Sequence, residues 1–168
     1  MGRSRGGLST KIHLLADSRC RPVATVTTAG QRHDSVAFEL VMDTVHVLRP
    51  GRGRPRRRPD EVLADKAYSS KAIRGHLRRR GIRATIPLKV DQQAGRRGRG
   101  ARGRLPGFNP VAYRQRNVVE RAVNKLRGTR AVATRYDKRD FVYRGTINVA
   151  AIRIWLRDPV PHDLRDTP

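Results

Sequence analysis

Apolar and polar positions alternate over Thr10 to Ala16 (TKIHLLA) and again over Pro22 to Thr28 (PVATVTT), and both stretches are rich in β-branched residues. A period of two in such residues predicts strands. Asp17-Ser18-Arg19 reads as the turn between them, so the pair forms a hairpin. From Asp34 the spacing becomes helical: Asp34 is a good N-cap, and Val36, Leu40, Val41, Val45 and Leu48 fall on one face. Glu61-Val62-Leu63-Ala64-Asp65 predicts a short buried strand that ends on an acid. Ser69 or Ser70 caps a second helix running to about Arg80, and Gly81 closes it. Arg83 to Leu88 (RATIPL) follows as a strand. Asn109 then offers an N-cap with Pro110 at the first helical position. Beyond it Val111, Val118, Val119, Ala122, Val123 and Leu126 share one face. A last helix, about Asp140 to Leu156, groups Tyr143, Ile147, Ala150, Ala151, Ile154 and Trp155. The order predicts an α/β fold, a mixed sheet flanked by helices, without internal repeats.

Two stretches interrupt this pattern. Residues 49–59 and 95–107 are dense in arginine, glycine and proline, which excludes a helix interior or a central strand and predicts flexible loops. They belong to a strongly basic chain of 168 residues with 38 Lys+Arg against 14 Asp+Glu, a net charge of +24 and a pI near 11.8. Charge of that size calls for a polyanionic partner, and nucleic acid is the natural one because binding releases condensed counterions. Only six of the 38 basic residues are lysine, a bias that GC-rich coding also produces. Cys20 is the single cysteine, so an internal disulfide and a cysteine-built metal site are both excluded. The apolar runs are far short of a membrane span and the first residues do not read as a signal peptide, so a cytoplasmic protein is expected.

Candidate chemistry lies at two places. On the helix after Asn109, Arg116, Glu120 and Arg127 fall within about 60° of Tyr113 at roughly 100° per residue, away from the apolar face. One carboxylate, two guanidinium groups and a phenol thus share a stripe, although a solvated face gives the same pattern. Asp65 closes a buried strand, where loops commonly open a crevice for ligands; a residue that merely caps the next helix has the same signature. Together Asp65 and Glu120 offer hard oxygen donors for a divalent cation. A two-ion site for phosphoryl transfer needs more than two carboxylates.

The string Tyr113-Arg114-Gln115-Arg116-Asn117-Val118-Val119-Glu120-Arg121 resembles the signature helix of insertion-sequence DDE transposases of the IS4 and IS5 type. Their pattern is Tyr, two residues, Arg, three residues, Glu, six residues, Lys; here Arg127 takes the last place, keeping the charge with a different donor geometry. Gly2 to His13, Leu63 to Tyr68 and Ala133 to Lys138 are similar to the same enzymes, in the same order. The resemblance implies a ribonuclease-H-like fold in which two Asp and one Glu hold two Mg²⁺ ions (or Mn²⁺), for hydrolysis at transposon ends and strand transfer into target DNA. On it Asp65 and Glu120 are catalytic, metal-binding residues, while Tyr113, Arg116 and Arg127 contact double-stranded DNA. A homo-oligomer on DNA is implied as well, since paired ends are joined. In the family the first Asp precedes the Gly2-to-Gly7 segment. The expectation is therefore a truncated catalytic domain over residues 1–158, lacking its first strand and first Asp, with residues 159–168 a disordered tail. Asp17 in the hairpin turn and Asp34 as a helix cap beside His33 are not substitutes. The metal site is then incomplete and the isolated chain inactive. The alternative is a non-catalytic DNA-binding protein derived from a transposase, for which the two arginine-glycine stretches suffice. An RNA-binding reading rests on charge alone, with only 5% aromatic residues for stacking.

Overall fold

The hairpin forms where the alternation places it. In the computed structural model, which describes residues 2–4, 7–49, 51–98 and 105–158, strand β2 (Gly7–Ala16) pairs antiparallel with β3 (Pro22–Ala29), Thr10 facing Ala29 and Leu15 facing Ala24. A short strand β1 (Gly2–Ser4) joins the start of β2. Asp17 organises the turn: its Oδ1 accepts the backbone N–H groups of Arg19 and Arg21, and its Oδ2 pairs with the Arg21 guanidinium at 2.6 Å. Successive β2 side chains point to opposite faces of the hairpin. Ile12 and Leu14 pack under the C-terminal helices, while Leu15 joins the cluster built around α1 (Asp34–Asp43).

The helix α1 begins one residue earlier than its sequence signal. His33, not Asp34, is the N-cap, its ring accepting from Ser35 N. Its buried face is Ala37, Phe38, Val41 and Met42, whereas Val36, Leu40 and Leu48 are exposed. The helix wedges between the hairpin and α2 (Lys71–Arg79), and that position selects Phe38 and Met42 for the core. Ser70 caps α2, and Gly81, at φ +65°, closes it in the left-handed conformation that glycine accepts most easily. The strands β4 (Glu61–Leu63) and β5 (Arg83–Thr85) pair in parallel as a second sheet of their own. β5 is shorter than the Arg83–Leu88 reading because Pro87 has no N–H to give to a ladder.

Residues 51–59 hold no helix or regular strand, yet they are tied down. Val47 and Arg56 form an isolated bridge, Arg58 donates to Arg80 O, and Arg80 donates to Arg57 O. Of the stretch 95–107 read as a loop, residues 95–98 complete α3 (Val90–Gly98), which Gln92 fastens to Ser69 from both ends of its amide, and residues 99–104 lie outside the described residues. The tail expected at 159–168 lies outside the described residues.

The remaining helices run α4 (Pro110–Arg114), a 3₁₀ turn at Gln115–Asn117, α5 (Val118–Arg127), α6 (Arg130–Thr134) and α7 (Asp140–Arg157). Asn109 caps α4 with Pro110 at its start, as the sequence predicts. Leu126, Val132, Tyr143, Ile147, Ala150 and Ile154 form the core of this half. Arg135 sits at φ +47°, donates to Thr10 Oγ1 and lies over the Tyr143 ring, fastening the α6–α7 link to β2. The opposite side of α7 leaves Phe141, Val149, Ile152 and Leu156 exposed. The architecture is a mixed α/β arrangement of two small sheets and surrounding helices.

Candidate functional site

The residues just past the end of β4 and the first turn of α5 meet at one opening. A cleft of about 330 Å³ lies between β2 and β4, with Phe38, Val41, Met42 and Val62 among its buried lining and Asp65, Arg116 and Glu120 on its exposed parts. Asp65 stands two residues past the end of β4, where it caps a 3₁₀ turn (Lys66–Tyr68) by accepting Lys66 N–H at 2.6 Å. Asp65 thus caps that turn, while Ser70 caps the next helix, and it also lines the cleft. Glu120 occupies the first turn of α5, and among the described residues it makes no hydrogen bond or ion pair. The fold thus brings together Asp65, Glu120 and Arg116, three of the five residues singled out from the sequence.

Tyr113 and Arg127 stand apart from that cleft's lining. Tyr113 reaches it only through Arg116, whose guanidinium lies 4.8 Å from the Tyr113 ring. The 3₁₀ turn at Gln115–Asn117 breaks the uniform 100° step on which the stripe was drawn, since 3₁₀ geometry advances about 120° per residue. Arg127 keeps the phase of Glu120 but sits two turns on, about 10 Å along the axis. There it is close enough to Tyr143 to favour the ionised phenol, against a larger upward push from burial.

Asp34, which sequence reasoning set aside as a helix cap, and His13, which it did not single out, also line the cleft. Asp34 Oδ1 lies 2.9 Å from Lys11 Nζ and 3.9 Å from His13 Nδ1, and His13 Nε2 lies 2.7 Å from Thr28 Oγ1. Burial holds the His13 pKa below its ordinary 6.5, Asp34 opposes that shift, and Lys11 adds to it. The Tyr68 phenol is pushed up first by burial and then by the charges of Asp34 and Asp65, so both carboxylates act on the same wall of the cleft. The signal for Asp34 was its place directly after His33: with the histidine as cap, the carboxylate is free to turn inward.

Oxygen donors of this kind suit a hard divalent cation. Among the described residues no three His, Cys, Asp or Glu side chains stand close enough together to hold a metal ion. Asp65 and Glu120 both line this cleft, and two carboxylates fall short of a two-ion centre. Arg116 beside them places a fixed positive charge where a phosphate oxygen can be met. No helix among the described residues is long and apolar enough to cross a membrane.

Comparison with known proteins adds an independent line. The family model described as "Transposase DDE domain" matches residues 2–155. A protein of Brucella ovis named as a transposase for insertion sequence element IS6501 is 25% identical over 150 residues, 89% of this chain and the whole of that protein. One of Burkholderia cepacia named as a transposase for insertion sequence element IS402 is 34% identical over 84 residues, which cover half of this chain and 39% of that protein. No solved structure matches the chain significantly.

Proposed function

We propose that this chain, which belongs to the transposase DDE domain family, takes part in metal-dependent cleavage and strand transfer at the DNA ends of an insertion sequence of the IS4 and IS5 type. Domains of the family generally use a divalent metal ion. Asp65 and Glu120 are the residues that would hold one, Mg²⁺ or Mn²⁺, and it would supply charge stabilisation at the phosphate. The observation that carries this reading is the convergence of Asp65, Glu120 and Arg116 on one cleft from separate elements of the fold. Arg116 neutralises a phosphate beside the carboxylates, and the Tyr113 ring holds that guanidinium in place at 4.8 Å. Arg127, two turns along α5, contacts the DNA backbone farther from the carboxylates. The net charge of +24 supplies the non-specific attraction to double-stranded DNA. The reading carries with it a ribonuclease-H-like arrangement, in which the described carboxylates by themselves sustain little cleavage.

The test is Mn²⁺ binding followed by electron paramagnetic resonance, alongside nicking of supercoiled plasmid. The expected outcome is Mn²⁺ binding that weakens at least tenfold in Asp65→Asn and in Glu120→Gln, with little nicking by the unmodified chain. Binding indifferent to both substitutions would sink the ligand assignment and leave a non-catalytic DNA-binding protein. Robust nicking abolished by Glu120→Ala would keep the ligands and overturn the inactivity of the isolated chain.

A further inference from the structure

A second pocket, of about 580 Å³, lies on α2, β5 and the segment preceding α4. Three arginines line it, Arg74, Arg78 and Arg83, with Phe108 beside them and one acid, Glu61. Glu61 is already engaged, its Oε1 accepting from Thr85 Oγ1 at 2.5 Å. Arg78 and Arg83 are exposed and make no ion pair among the described residues; the nearby Asp60 is taken by Arg56 at 2.5 Å. Arg74 is half-buried, with its Nη2 bonded to Ser69 Oγ and Ile86 O and its Nε buried without a partner among the described residues. A guanidinium held in that state without a counter-charge stabilises an anion brought to it.

Phe108 supplies what a bare phosphate site lacks. It is 45% exposed and lines the pocket with the arginines. The ring also stands 5.2 Å from Tyr113, and Tyr113 stands 4.8 Å from the Arg116 guanidinium. A continuous run of two rings and a guanidinium therefore links this pocket to the carboxylate cleft. Alternating cationic and aromatic groups in a line are what a single nucleic-acid strand needs, phosphates against arginine and bases against rings.

We infer that this pocket is a binding subsite for one nucleotide of a single DNA strand, its phosphates at Arg78 and Arg83 and its base on Phe108. The inference rests on the DNA-directed reading above and extends the DNA path beyond the cleft. A strand that leaves the duplex near Asp65 and Glu120 is then held over Tyr113 and into the pocket.

Fluorescence anisotropy of a labelled twelve-nucleotide thymidine strand and of a twelve-base-pair duplex tests it, with the full chain and folding checked by circular dichroism. Arg78→Ala/Arg83→Ala is expected to weaken binding of the single strand at least tenfold and to reduce its salt slope by about 1.4, at roughly 0.7 per phosphate. Phe108→Leu, which keeps an apolar side chain under Tyr113, is expected to weaken the single strand about tenfold with the slope unchanged, and to spare the duplex. The control Arg144→Ala/Arg153→Ala removes the same charge from α7. Equal losses in the control would reduce Arg78 and Arg83 to general surface charge and overturn the inference. Indifference of the single strand to Phe108→Leu, or an equal loss with the duplex, would overturn it too. Asp65→Asn/Glu120→Gln is expected to retain single-strand binding, so failure of the metal reading is distinguishable from failure of this one.

Discussion

His13 sits on β2 with Thr28 Oγ1 at one ring nitrogen and Asp34 near the other, and it is buried. Burial lowers its pKa below 6.5, so the folded chain prefers the neutral ring. Between that lowered value and 6.5 the unfolded chain binds more protons than the folded one, and stability rises with pH across this window. The stabilising contribution is complete above pH 6.5 and is lost as pH falls through the folded value. We expect a His13 ring titration by NMR with its midpoint below 6.5, and thermal melts whose decline on acidification is smaller in His13→Gln. A midpoint at or above 6.5 overturns this account. His13 was not legible as a cleft residue, because a lone histidine in an alternating strand carries no sign of what it faces. Asp34 was misread for a related reason: His33 and Asp34 are both competent caps, and a one-residue shift in the helix start decides which side chain turns toward Lys11.

At the scale of elements, periodicity predicted where helices run better than which face they bury. On α5 it held, with Ala122 and Leu126 at 0% and 1% exposure, because those positions lie on regular helix. Across the 3₁₀ turn it failed, and Val111 is 69% exposed although it was grouped with them. Leu126→Ala is accordingly expected to cost about 2–5 kcal/mol in denaturant unfolding, and Val111→Ala less than about 0.5 kcal/mol. Comparable losses at both positions would mean that Val111 packs with the core after all. Caps were the most readable signals, since Asn109-Pro110, Ser70 and Gly81 act within a few residues of themselves. α3 and α6 escaped notice because each owes its place to partners distant in sequence. Gln92 reaches Ser69, and Tyr143 donates to Val132 O at 2.9 Å. For the site, the spacing of Tyr113, Arg116 and Glu120 was in the sequence. The meeting of Asp65 with Glu120 was not, because it depends on how β4 and α5 pack around the hairpin.

In the whole molecule, among the described residues, no ladder hydrogen bond passes from the β1–β2–β3 sheet to the β4–β5 sheet. The carboxylate cleft lies across that discontinuity, and the halves are joined by α1 and by side chains such as Leu15, which packs with both the Phe38 and the Ala24 clusters. Each sheet closes its own ladder, so opening the smaller one breaks no hydrogen bond of the larger, and the two can form separate opening units. Amide hydrogen exchange is expected to resolve two protection levels, with the β4–β5 amides exchanging through openings that leave the β2–β3 amides closed. A single level for both sheets would show that α1 and Leu15 weld them into one unit. If two levels appear, the mouth that bears Asp65 and Glu120 changes width whenever the smaller sheet opens, and the access of a DNA strand to the carboxylates becomes a matter of local unfolding rates.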